Sequence, residues 1–179
     1  TFGALRMIKT PEELTRLRGA VAGAERGHAA VRENLAEGMT ALELAALVNR
    51  AVIDEYTDRY IVHVSAGPLG SVVLAPTDAE IKRGELISVD VGSLHRNYCG
   101  DMFRVYAFGE QQGDGLQVHA AMDEVNNLLI DAVKPGVRAS ELYELGKVEM
   151  AERGLELALD FIGHGIGIDV QAGSGVGGR

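Results

Sequence analysis

Two aspartates carry the strongest chemical signal in this chain. Asp90 closes the apolar run Leu86-Ile87-Ser88-Val89, and Asp101 opens the run Met102-Phe103-Arg104-Val105-Tyr106. A hairpin turning at His95-Arg96 sets the two carboxylates directly opposite each other on one sheet face. Like charges so placed destabilise a sheet. A bound cation, or a proton shared between them, reverses that sign, and paired carboxylates beside apolar residues suit a hard or borderline divalent ion. The competing reading is a slipped register with both aspartates in solvent. His164 lies in Ile162-Gly163-His164-Gly165-Ile166-Gly167, where the flanking glycines admit a close backbone approach. An imidazole there either ligates a metal, polarises a carbonyl or hydrogen-bonds to backbone. His63 and His119 sit in periodic apolar patterns and read as structural, His95 as a turn residue, and Cys99 as an adventitious thiol.

Helices and strands must position these groups. Pro11 to Ala36 reads as a helix, with Glu12 and Glu13 in its first turn and Leu14, Leu17, Val21, Ala24, His28, Val31 and Leu35 on one stripe. Gly38 ends it, and Thr40-Ala41-Leu42-Glu43 is a capping-box pattern that opens a second helix, to about Tyr56. Ile61–Val64, Leu86–Val91 and Tyr98–Phe108 have strand character. Gln112–Val133 is helical again, Lys134-Pro135-Gly136 stops it, and Ser140 opens a fourth helix that Gly154 closes. A final strand leads from Asp160 to Ile162. Gly38, Ala41, Glu43 and Leu44 recur at constant offset as Gly136, Ala139, Glu141 and Leu142, which predicts an internal repeat of two helix–helix–strand halves. The first copy closes with strands expected to bury Leu86, Ile87, Val89, Phe103 and Val105. The second copy lacks closing strands, so an unpaired edge and an exposed Phe161, Ile162, Ile166 and Ile168 are expected there.

Composition narrows the function. The 179 residues are 46% apolar and 24% charged, which is globular, and the net charge of −9 disfavours nucleic acid and anionic lipid as partners. Apolar runs are short and broken by charge, so no membrane span is expected. One cysteine cannot form an internal disulfide, which fits a reducing cytoplasm. Gly173 to Gly178 spells a dinucleotide fingerprint, but no strand precedes it and no helix can follow, so no nucleotide cofactor is expected.

Leu86–Gly92, Tyr98–Val105 and Gly163–Gly167 together resemble the pita-bread metallopeptidase family, which includes methionine aminopeptidases, aminopeptidase P and prolidase. Arg6–Leu14 is similar to the opening of the catalytic domain in the prolidase and aminopeptidase P branch, where a separate N-terminal domain precedes it, and Lys134-Pro135-Gly136 is a further match. The resemblance runs from about Arg6 to Val170. It implies an α+β pita-bread fold of two pseudo-symmetric α-α-β halves, the second incomplete. Residues 1–10 become a linker, 11–170 the catalytic-type domain (first half 11–109, partial second half 112–170), and 171–179 a Gly-rich tail.

The resemblance also implies two divalent ions of the Mn, Co or Zn class, bound by two Asp, one His and two Glu. Asp90 would hold one ion, Asp101 would bridge both, and His164 would ligate the other and act in catalysis. By the same resemblance, a metal-bound water would lose its proton near neutral pH and attack the scissile carbonyl. Arg104 is at most a structural charge near that site. The implied substrate is a peptide with an Xaa-Pro bond, and the implied assembly a cytoplasmic homodimer. Three departures stand out. No Glu follows His164, no His lies between Gly67 and Pro76 on the substrate side, and Val170-Gln171-Ala172 replaces the usual His-Glu continuation. They leave two alternatives open: a non-catalytic pita-bread protein that binds peptides or proteins, and a metal-free creatinase-like C–N hydrolase. The two aspartates count against the second.

Overall fold

Thr10 opens the first long helix by closing a capping box. Its hydroxyl accepts from the Glu13 amide at 3.3 Å, and the Glu13 carboxylate accepts from the Thr10 amide at 2.7 Å. The computed structural model describes residues 2–54, 56–67, 70, 72–111, 113–157 and 161–170. A short helix α1 (Phe2–Met7) precedes this long one, α2 (Pro11–Asn34), and α3 (Ala41–Val52) follows. Three antiparallel strands come next: β1 (Thr57–Ser65), β2 (Glu85–His95) and β3 (Tyr98–Phe108), in spatial order β1-β2-β3. Two helices complete the set, α4 (Gly115–Ala132) and α5 (Ala139–Glu152). The described chain divides into two compact units, α1 to β3 with residues 166–170 in one, and α4, α5 and the residues up to Gly165 in the other. No helix among the described residues is long and apolar enough to cross a membrane. The Gly-rich tail and Asp160 lie outside the described residues. The strand expected from Asp160 towards Ile162 thus begins outside the described residues, and Phe161 within it forms an isolated β-bridge.

The repeated joints share their construction. Gly38 and Gly136 both adopt left-handed backbone, φ 79° and 93°, which only glycine adopts without strain. Glu43 accepts from the Thr40 amide at 2.8 Å, and Glu141 from the Arg138 amide at 3.2 Å. Thr40 also accepts from the Glu43 amide at 3.1 Å. A guanidinium has no acceptor, so Arg138 retains only the reciprocal half of the box. The fourth long helix accordingly starts at Ala139, one residue before the expected Ser140.

Helices α2 and α3 cover one sheet face. Ala24, Val31, Leu44, Val48 and Val52 pack there with Val62, Val64, Ile87, Val89 and Val91, and all of these are buried. Burial of this kind supplies about 25 cal/mol per Å² of apolar area. The stripe expected on α2 is buried at Leu17, Ala24, His28 and Val31, but Leu14 is exposed because the helix meets the sheet only from Leu17 onward. Leu86, Phe103 and Val105, expected in the core with Ile87 and Val89, point to the other face, and Phe103 is 39% exposed. Gly100 and Ser93 mark a close approach of helix and sheet, where the Ser93 hydroxyl donates to the Ala20 carbonyl at 2.6 Å.

His28 is buried at 2% exposure between α2 and β3. Its Nε2 donates to the Met102 carbonyl at 3.0 Å, which leaves Nδ1 to accept from the Tyr106 hydroxyl at 2.8 Å. Burial, aided by Arg104 and Arg32 and opposed by the Met102 carbonyl and Asp90, holds its pKa below the ordinary 6.5. The unfolded chain therefore binds this proton first. The contribution of His28 to stability is complete above about pH 6.5 and is lost as pH falls below it. The melting temperature is expected to fall between pH 7 and 5.5, and His28→Gln to flatten that slope. An equal fall in the variant would rule His28 out as its source.

Candidate metal centre

The β2–β3 hairpin turns at Arg96-Asn97, one position later than expected. Both residues have positive φ, 50° and 68°, the signature of a two-residue type I′ turn. Asn tolerates left-handed backbone and His95 is held elsewhere, its Nδ1 2.8 Å from the Thr57 hydroxyl and its backbone paired with Tyr98. Asp90 consequently pairs with Phe103, and Asp101 with Gly92. The expected direct opposition of the two aspartates is therefore incorrect. They are diagonal neighbours, two residues out of step. A slip of two preserves the face, so both still lie on the side away from α2 and α3.

His63 on β1 pairs with Asp90 on β2 and occupies that same face. Its Nδ1 lies 3.4 Å from Asp90 Oδ2, with the side chains 25% and 19% exposed. The sequence pattern around His63 suggested a structural role only. Its partner became visible through a strand register that begins at Thr57 and bulges between Arg59 and Ile61. The same face carries Cys99, whose amide donates to the Gly167 carbonyl at 2.6 Å and whose thiol lies 3.4 Å from the Ile168 carbonyl. Burial, with the Asp169 and Asp101 carboxylates, pushes the Cys99 thiol up, so it stays protonated at neutral pH.

His164 belongs to the second unit, where its Nδ1 lies 3.2 Å from the Gly165 carbonyl. His119 is on α4, its Nδ1 3.5 Å from Asp123 one turn on. Arg104 shares the helix-facing side of β3 with Met102 and Tyr106, opposite to the aspartates, which places its charge off their face. Among the described residues no three His, Cys, Asp or Glu side chains converge as a cation cage. The two aspartates are hard oxygen donors on one partly buried face, so they fit a divalent ion in kind.

The sequence pattern of metallopeptidase family M24 matches residues 15–178. The chain belongs to metallopeptidase family M24. This M24 chain is 33% identical over 171 residues to the probable dipeptidase PepE of Mycobacterium tuberculosis, a match covering 93% of this chain and 46% of the relative. It is 30% identical over 176 residues to the Xaa-Pro dipeptidase of Pyrococcus furiosus, covering 93% and 49%. The X-Pro aminopeptidase from Thermotoga maritima has the same fold, with a TM-score of 0.91 and 27% identity over 99% of this chain and 52% of that one. The α+β pita-bread expectation is thus borne out for this M24 chain. The chain spans about half the length of the curated relatives it matches.

Proposed function

We propose that this chain contributes Asp90, Asp101 and His164 to the metal centre of a peptidase that cleaves Xaa-Pro bonds. The observation that carries the reading is the shared face of Asp90 and Asp101 on one hairpin, within a chain of family M24. Oxygen donors of this kind suit Mn²⁺, Co²⁺ or Zn²⁺. A divalent ion bound there supplies Lewis-acid polarisation and a water of lowered pKa. Asp90 and Asp101 hold and orient it, and His164 adds a nitrogen donor. The Xaa-Pro preference is supported by the names of the relatives. A homodimer is part of the same reading, as is a reducing cytoplasm, which the lone thiol supports.

No glutamate follows His164 in the sequence, so the donor set within the chain stops short of the five ligands the family resemblance implies. The 179-residue chain is expected to release little or no proline from Xaa-Pro dipeptides, even with excess Mn²⁺. A polypeptide of the relatives' length that contains it is expected to release proline only when metal is supplied. Chromatography of free proline checks both. Robust turnover by the shorter chain would show that the ligands lie elsewhere. The absence of a histidine between Gly67 and Pro76 favours a second reading, a pita-bread module that binds peptides without cleaving them. Metal binding without turnover in the longer polypeptide would select it.

A further inference from the structure

His63 lies in direct reach of Asp90, a proposed metal ligand, and the function above leaves it unused. Strand register places it opposite Asp90, on the face that Asp90 shares with Asp101. Its Nδ1 is 3.4 Å from Asp90 Oδ2, and both side chains are largely screened from water. A carboxylate that binds a cation needs its other oxygen satisfied, and partners of that sort orient the ligand and tune the metal. Polar contacts of this length shorten when a site is loaded. A cross-strand ion pair that merely supports the sheet is the simpler role, and the two roles differ in what they do to bound metal.

We infer that His63 is a positioning residue for Asp90. It donates Nδ1–H to Oδ2 and leaves Oδ1 to the cation. The inference rests on the reading of Asp90 as a metal ligand.

Titration of the protein with Co²⁺, followed by calorimetry and by the visible Co²⁺ absorption, tests it. His63→Ala is expected to weaken Co²⁺ binding by about 10–100-fold and to shift the absorption band. His63→Asn keeps a donor where Nδ1 stood and is expected to recover affinity to within about 3-fold of the unaltered protein. His63→Gln moves the donor to the Nε2 position and is expected to behave as the alanine variant does, which keeps the test intact should the alanine variant not fold. Melting in chelator verifies folding of each. Unchanged Co²⁺ affinity in folded His63→Ala or His63→Gln overturns the inference, as does an asparagine variant no better than these. Asp101→Asn separates the two levels. If it leaves Co²⁺ binding intact, the metal-centre reading fails and the inference with it. If it abolishes binding while the His63 variants bind normally, only the role of His63 is lost.

Discussion

Excess Mn²⁺ or Co²⁺ is expected to raise the melting temperature of the protein, and Asp101→Asn to remove that gain. The expectation follows from two carboxylates held on one face of a hairpin, Asp101 beside Gly92 and Asp90 two pairs further along, opposite Phe103. A cation that binds only the folded chain stabilises it by mass action, by about 2.7 kcal/mol at a hundred times its dissociation constant. For a chain of this size that corresponds to a shift of roughly 5–11 °C. Asparagine preserves the shape of the side chain and removes its charge, so the fold survives while the anionic donor does not. The informative quantity is the metal-dependent increment, measured for each variant against its own melt in chelator. Equal increments in the two proteins, or none in the unaltered one, would sink the assignment of Asp101.

Gly100→Ala is expected to cost about 3 kcal/mol, with no ligand involved. A Cβ built at Gly100 would lie 2.6 Å from the Ser93 hydroxyl and 2.7 Å and 2.8 Å from the backbone carbon and oxygen of Ala20. Real side chains do not approach so closely. Because two of the three atoms are backbone, α2 itself has to move away from the sheet. Overpacking of this kind typically costs 1–3 kcal/mol. Displacing α2 also breaks the buried hydrogen bond from Ser93 to the Ala20 carbonyl, worth about 1 kcal/mol. Against a total stability of about 5–15 kcal/mol, the loss is large. In a thermal melt it reads as a fall of roughly 6–12 °C. Ser93→Ala removes the hydrogen bond without the clash and isolates the smaller part. If Gly100→Ala costs no more than Ser93→Ala, the close approach of α2 to the hairpin is not what Gly100 serves.

Local rules account for what was legible in the sequence. The Thr40–Glu43 box and the stop at Gly38 involve residues within one turn of each other, so spacing alone reveals them. The apolar periodicity of α2 located Leu17, Ala24, His28 and Val31, because a face that meets a sheet is set by the helical repeat. The face of Asp90 and Asp101 was also legible, since strand parity survives any even error in register. The register itself was not. It depends on whether Arg96 or Asn97 carries the second left-handed position of the turn, and on how His95 is held by Thr57, a residue of another strand. His63 escaped for the same reason. Its partner Asp90 lies across a strand pair closed by a long connection, and no short-range pattern encodes that pairing. Leu86, Phe103 and Val105 were assigned to the core by their hydrophobicity, although parity with Asp90 puts them on the opposite face from the helices.

The two helix–helix joints have an evolutionary consequence. Each is specified within half a dozen residues: a left-handed glycine, Gly38 or Gly136, then a glutamate, Glu43 or Glu141, bonded back to the amide three residues earlier. The glycine conformation and the glutamate bond are local to each joint, although the first joint also bonds to residues 79–81. A segment copied in tandem would carry these two local features to both places. Selection then acts separately on the parts that do depend on surroundings. Helix α2 has 24 residues and α4 has 18, and the hydroxyl of Thr40 has given way to the guanidinium of Arg138. On that account the joints would keep what was copied, and the helices they connect, which differ in length, what diverged.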